Sequence, residues 1–180
     1  MMESVCARLR AGQQSPLTCG LVLSFNVSTK QFFQTNFVAQ LRKAIQYQEI
    51  DPMLLRLELT ESALVKNIEY TIATMNALGE IGVQFSLDDF GTGYCFLQYI
   101  KKLPLNQLKI DRSFIRDIAD DSGDRTIVRS IIAMAESLNL NVIAEGVESE
   151  KQRQFLLNNG CVNYQGYLFS KPVPIAELHC

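Results

Sequence analysis

The sequence predicts an α/β protein of the (β/α) barrel type, and three observations support this class. β-rich runs alternate with amphipathic stretches along the 180 residues, which is typical of parallel strands joined by crossover helices. The strands carry polar residues on one face and mainly apolar residues on the other, as expected if polar groups converge on a barrel axis. No GxGxxG fingerprint follows the first strand, which disfavours the alternative, an open doubly wound sheet.

Six strands are expected, each a short apolar or β-branched run. They cover residues 21–27, 54–60, 83–89, 107–111, 141–147 and, more weakly, 162–169. The alternation of faces is clear in the second strand, where Arg56 and Glu58 share one face and Leu57 and Leu59 share the other.

The stretches between the strands have helical spacing. A leading helix is expected over residues 1–12, and Phe37, Leu41 and Ile45 recur every four residues after the first strand. Helical patterns also cover 69–82 and 124–140. A last helix over 149–160 begins at an N-cap serine and ends at a glycine.

Composition indicates one globular domain over residues 1–180, with 47% hydrophobic and 20% charged residues. A net charge of −2 without a basic block argues against DNA or RNA as a partner. No apolar run reaches the ~18 residues of a membrane span, and the N-terminus lacks a signal core, so we expect a cytoplasmic protein. The five cysteines form no CxxC pair, which favours free thiols over a zinc site.

Six polar residues stand at the C-terminal ends of the strands, where (β/α) barrels place their chemistry. They are Asn26, Glu58, Asp88, Asp89, Lys109 and Glu145. Carboxylate and amide oxygens suit Mg²⁺ or Mn²⁺. The adjacent acids Asp88 and Asp89 repel each other unless a cation or proton lies between them. Two divalent ions ~3.5–4 Å apart can clamp a phosphoryl group and activate water.

Simpler interpretations stand beside this one. Asp88 or Asp89 alone is equally well explained as a helix N-cap. Lys109 alone could be a structural ion-pair partner of Glu58 or Asp88, and Gly91 and Gly93 could be ordinary turn glycines.

Six ordered motifs then resemble those of EAL domains, phosphodiesterases that hydrolyse cyclic di-GMP to the linear dinucleotide pGpG. They are SFNVS, LELTES, DDFGTGY, LKIDRSF, IAEGVES and QGYLFSKP, and the match runs from about residue 22 to residue 174. The resemblance implies a barrel of the EAL type, cyclic di-GMP as substrate, two Mg²⁺ or Mn²⁺ ions and a homodimer.

The resemblance also implies roles for single residues. Asn26, Glu58 and Asp88 match ligands of the first metal, and Asp88 would bridge to a second metal beside Asp89. Lys109 matches the lysine that orients the attacking water, and Glu145 matches a general base or second-metal ligand. The matching substrate positions are Gln165, Glu148, Asp111 and Pro172. Glu61 matches a glutamate that steadies the DDFGTGY loop. This loop contains Gly91 and Gly93, and in the family it couples metal occupancy to dimerisation.

This chain also departs from the family pattern. The Glu-Ala-Leu motif, whose glutamate binds metal, is absent, as is a neighbouring arginine used for the substrate phosphate. Cys95 and Phe96 directly follow the DDFGTGY motif, at positions where the family usually has small hydroxyl residues. Six strands instead of eight imply a barrel that lacks about two N-terminal strands, and that is either open or completed by dimerisation.

Three functions follow as hypotheses. The first is a cyclic di-GMP phosphodiesterase, impaired by the missing glutamate. The second is a catalytically silent module that binds cyclic di-GMP or a protein. The third, independent of the family, is a Mg²⁺-dependent barrel lyase with Lys109 as base, which the ordered motifs disfavour.

Overall fold

The computed structural model describes residues 2–91 and 97–174. Its strands are β1 (Leu23–Asn26), β2 (Leu55–Thr60), β3 (Gln84–Phe90), β4 (Gln107–Ile110), β5 (Asn141–Ala144) and β6 (Asn163–Tyr164). They follow one another in the sheet in chain order, from β1 to β6. The pairs β1–β2, β4–β5 and β5–β6 are parallel. This order confirms the predicted barrel-type α/β topology, because a doubly wound sheet reverses its strand order.

Helices separate the strands. The long ones are α1 (Met2–Gln13), α3 (Phe37–Gln48), α5 (Ile68–Gly79), α8 (Ser122–Ser137) and α9 (Glu150–Asn158). Short helices are α2 (Thr29–Phe32), α4 (Glu61–Val65), α6 (Leu97–Ile100) and α7 (Arg112–Arg116). Among the described residues, no helix has the length and apolarity that a membrane crossing requires.

Side chains at the helix starts explain where several helices begin. Asp121 accepts hydrogen bonds from the backbone N–H groups of Gly123 and Asp124 and so caps α8. Ser149 and Gln152 form a reciprocal capping box at the start of α9, as the predicted N-cap serine requires.

The chain divides into two compact units, with the boundary inside β3. The first contains residues 2–86 and 97–105, and its buried core includes Phe32, Phe37 and Leu57. Within it, β1 and β2 pair so that Asn26 lies opposite Glu58. The second contains residues 87–91 and 106–174, and its core includes Leu108 and Ile115.

The predicted sixth strand over 162–169 is wrong in length, since β6 has only two residues. The chain leaves the strand after Tyr164, and the backbone N–H of Leu168 then donates to the carbonyl of Val147. Gly166 allows this close approach, because a Cβ there would lie 2.2 Å from the same carbonyl oxygen. A tertiary contact therefore overrides the strand propensity of the Tyr-Leu-Phe run.

Candidate functional site

Three carboxylates of the second unit form a cluster at the C-terminal ends of their strands. Asp88 and Asp89 lie near the end of β3, and Glu145 directly follows β5. One oxygen from each lies within 4.8 Å of the others. Three such oxygens close together repel one another unless a cation balances them, and they suit a hard divalent ion.

Lys109 is the cation that balances this cluster in the structure. Its Nζ lies 3.0 Å from Oδ1 of Asp88 and 2.7 Å from Oε1 of Glu145, and the residue is only 6% exposed. β4 positions it, because its neighbours Leu108 and Ile110 are completely buried on the opposite strand face. The interpretation of Lys109 as an ion-pair partner of Asp88 is confirmed, and the pair lies within the acidic cluster.

Asp89 has an unusual backbone and an unusual acidity. Its φ of 54° lies in the left-handed region, which a non-glycine residue rarely adopts and which is often found at functional sites. Burial raises the pKa of the Asp89 carboxyl above its ordinary value, and the charges of Asp88 and Asp111 raise it further, against the opposing charge of Lys109. A bound cation would relieve this repulsion.

Gln165 and Glu145 connect the cluster to a neighbouring cleft. The side-chain Nε2 of Gln165 donates to Oε1 of Glu145 at 2.7 Å, which holds this carboxylate in place. Both residues line an open cleft of about 540 Å³, together with Glu148, Lys171 and Pro172. Three of the four predicted substrate positions, Gln165, Glu148 and Pro172, therefore lie together.

The fourth substrate position, Asp111, has a structural task. Its Oδ1 accepts from the backbone N–H of Ser113 at 3.0 Å and caps α7. Burial acts to raise the pKa of Asp111, but hydrogen bonds from Ser113 and the charge of Arg112 outweigh it and hold the pKa below its ordinary value. The charge of Asp111 also raises the pKa of Asp89. The residue therefore belongs to the surroundings of the acidic cluster.

The other two predicted metal ligands belong to the first unit. Asn26 is exposed at the end of β1, and Glu58 is 9% exposed at the end of β2. The backbone N–H of Val27 donates to the carbonyl of Glu58, so the ends of these strands are tied together. The two side chains therefore offer an amide and a carboxylate on neighbouring strands.

The predicted loop residues are only partly described. Glu61 opens α4 and is 6% exposed, and its Oε2 is buried without a hydrogen-bond partner among the described residues. Gly91 has a φ of 97°, and a Cβ there would lie 2.9 Å from the ring of Phe114. Gly93, Cys95 and Phe96 lie outside the described residues.

Sequence reasoning assigned no role to three further residues of the cleft, which are Arg112, Tyr167 and Lys171. All three stand inside quoted motifs, Arg112 in LKIDRSF and the others in QGYLFSKP. Their positions inside these motifs are the sequence feature that could have identified them as candidate site residues. Only the fold shows that they line the same cleft as Glu145.

Comparisons with known proteins identify the family to which the chain is similar. The family model described as EAL domain matches residues 1–172. The chain is 46% identical over 158 residues to the cyclic di-GMP phosphodiesterase NbdA of Pseudomonas aeruginosa, covering 88% of this chain and 20% of that protein. The chain thus spans about a fifth of the length of this relative.

The solved structures that are similar to the chain include complexes with cyclic di-GMP. The complex of the Pseudomonas aeruginosa MucR phosphodiesterase with c-di-GMP superposes with a TM-score of 0.92 at 38% identity, covering 98% of this chain and 71% of that one. Klebsiella pneumoniae BlrP1 is represented by a manganese/cy-diGMP complex, with a TM-score of 0.83 at 28% identity, covering 95% of this chain and 44% of that one. A calcium/cy-diGMP complex of the same protein has the same TM-score at 27% identity, covering 95% and 43%.

Proposed function

The chain belongs to the EAL domain family, and we propose that it hydrolyses cyclic di-GMP to pGpG. The observation that carries this proposal is the cluster of Asp88, Asp89 and Glu145 with Lys109 between two of its carboxylates. The similarity of the chain to the cyclic di-GMP phosphodiesterase NbdA and to the MucR phosphodiesterase solved with c-di-GMP supports cyclic di-GMP as the substrate.

We assign divalent cations to this cluster. Three carboxylates with oxygens within 4.8 Å of one another fit Mg²⁺ or Mn²⁺. The manganese complex of BlrP1 supports Mn²⁺ as one of these ions. Asn26 and Glu58 are the proposed additional ligands. Bound divalent ions would neutralise phosphoryl oxygens and increase the acidity of a bound water.

The residues around the cluster have complementary tasks in this proposal. Lys109 orients the attacking water through an N–H donor, and Glu145 accepts a proton from that water. A new bond then forms between the water oxygen and phosphorus as the ester bond to the ribose oxygen breaks. The ribose oxygen takes up a proton and leaves as a hydroxyl, so the net reaction consumes one water molecule. Gln165 holds the Glu145 carboxylate for this transfer through its 2.7 Å hydrogen bond.

The flanking residues bind substrate or support the loop after β3. We assign Gln165, Glu148 and Pro172 to the substrate, because they line the cleft that begins at Glu145. Asp111, which caps α7 beside the cluster, remains the fourth proposed substrate position. Glu61, Gly91 and Gly93 remain the proposed loop-stabilising residues. The unpartnered buried Oε2 of Glu61 supports this, since a buried carboxylate oxygen requires a donor.

A second candidate function is binding of cyclic di-GMP without turnover. The 180 residues contain no Glu-Ala-Leu motif, so a polypeptide of these residues brings one metal-binding carboxylate fewer than the family pattern. Losing one charged contact to the transition state commonly costs ~10²–10³ in rate. Binding would therefore persist where hydrolysis is weak.

We also propose that residues 1–180 act as one domain that forms a homodimer. β6 is last in the sheet order, and Val162 and Phe169 beside it are 66% and 56% exposed. A strand at the edge of a sheet is a template for pairing with another chain, and the exposed apolar side chains beside it add to the surface available to a second copy. Light scattering over a dilution series would reveal the dimer, and a constant monomer mass would contradict it.

The function is tested by following conversion of cyclic di-GMP to pGpG with Mn²⁺, beside Asp88→Asn. We expect slow turnover that the variant abolishes. Calorimetry with the same ligand then separates the two candidates. Binding without turnover in the unmodified chain supports the silent module. If the chain shows no binding and no turnover, both candidate functions are contradicted.

A further inference from the structure

The cleft beyond Glu145 contains two cationic side chains that differ in their surroundings. The Nζ of Lys171 lies 5.6 Å from the ring centroid of Tyr167, so this charge already has an aromatic partner. The guanidinium of Arg112 makes no hydrogen bond or ion pair within residues 2–91 and 97–174. The charge of Arg112 also acts on the neighbouring carboxylate of Asp111, but its N–H donors have no acceptor within the described residues and can donate to a ligand in this cleft.

The backbone around Arg112 brings it to the cleft wall. Arg112 is the first residue of α7, and it is exposed. Its Cβ lies only 2.6 Å from where a Cβ would stand on Gly146, a residue with a φ of 72°. Gly146 has no side chain, so Arg112 can approach its backbone this closely. Because Gly146 directly follows Glu145, Arg112 lies next to the acidic cluster.

The charges of the cleft favour a nucleobase over a phosphate next to Arg112. Glu148, an exposed carboxylate, lines the same cleft as Arg112. A phosphate would be repelled by Glu148. A guanine base has two acceptors, O6 and N7, that suit a guanidinium. It also has N–H donors that suit a carboxylate.

We propose that Arg112 is a specificity-determining residue that donates hydrogen bonds to O6 and N7 of one guanine of the substrate. The inference rests on the proposed function, since it takes a guanine dinucleotide as the ligand. Adenine has an amino donor where guanine has O6, so it cannot accept both hydrogen bonds. Arg112 therefore distinguishes guanine from adenine.

The test is calorimetric binding of cyclic di-GMP and cyclic di-AMP to the unmodified chain, Arg112→Ala and Arg112→Lys. Ca²⁺ is the added ion, because a cyclic di-GMP complex of BlrP1 contains it. A bidentate arginine–guanine contact predicts a loss of about 10- to 100-fold in cyclic di-GMP affinity for Arg112→Ala. Cyclic di-AMP binding should change little, and Arg112→Lys should be intermediate because lysine lacks the planar fork.

Arg116→Ala is the matched control. Arg116 is exposed on the same helix, is paired with Asp117 at 3.0 Å, and does not line the cleft, so its removal should leave both affinities unchanged. Equal losses for both dinucleotides in Arg112→Ala would indicate a phosphate contact and overturn the inference, as would no loss at all. If the unmodified chain binds neither dinucleotide, the proposed function fails and the inference with it.

Discussion

At the scale of single residues, the central feature is a buried lysine between two carboxylates. Lys109 contacts Asp88 and Glu145 at 3.0 and 2.7 Å, with its side chain only 7% exposed. Removing one partner from a buried ion pair is costly because the remaining charges lose their compensation. A divalent cation at the cluster would provide another source of that compensation.

We therefore predict that Lys109→Met is destabilised without metal by roughly 3 kcal/mol in its free energy of unfolding, and that Mn²⁺ restores part of the loss. Hydrolysis should fall at least ~10²-fold, since the residue that orients water is absent. Urea unfolding in EDTA and in Mn²⁺ measures the first effect. Lys102→Met, at an exposed lysine, is the control. A variant as stable as the unmodified chain in EDTA would contradict the role of Lys109 as the balancing charge.

At the scale of elements, one glutamine joins α9 to α7. The backbone N–H groups of Glu148 and Ser149 both donate to Oε1 of Gln152 at 2.8 Å. Its Nε2 donates to the carbonyls of Ile115 and Arg116 at 3.0 Å. Gln152 is 6% exposed, so removing its amide would leave buried polar groups without partners. The capping box thus also positions the segment that contains Glu148.

We predict that Gln152→Ala lowers the free energy of unfolding by about 2–4 kcal/mol and weakens cyclic di-GMP binding in the variant that remains folded. Gln154→Ala is the control, because Gln154 is exposed on the same helix and bonds to Asn158. Thermal unfolding and calorimetry provide the two readouts. An unchanged affinity in Gln152→Ala would show that α9 does not position the binding segment.

At the scale of the whole molecule, buried thiols couple stability to alkaline pH. Burial raises the pKa of Cys161 to about 11, from an ordinary value of 9.0, despite hydrogen bonds to the backbone. Burial also raises the pKa of Cys6. Because these thiols ionise more readily in the unfolded chain, stability is complete below about pH 9 and declines as the pH rises towards 11.

We predict that Cys161→Ala reduces this alkaline decline, although it lowers stability at neutral pH by leaving a small void. The measurement is the urea midpoint at several pH values between neutral and 11, the pKa that burial gives this thiol. Cys19→Ala serves as the control, since Cys19 is exposed. An identical pH dependence in Cys161→Ala and the unmodified chain would be evidence against a buried, neutral thiol.

The sequence by itself determined the alternation of strands and helices, the residues at the strand ends and the family. These features depend on local periodicity and on motif order, which can be read directly along the chain. It also indicated that Asp88 and Asp89 need a cation, because adjacent carboxylates repel whatever the fold.

Only the tertiary structure decided which of these groups meet. The hydrogen bond from Gln165 to Glu145 joins residues 20 positions apart, and Lys109 contacts two carboxylates carried by other strand ends. The length of β6 and the position of Arg112 beside Gly146 depend on close backbone approaches. Such distances follow from strand register and backbone dihedral angles over the whole fold, and local periodicity contains no information about them.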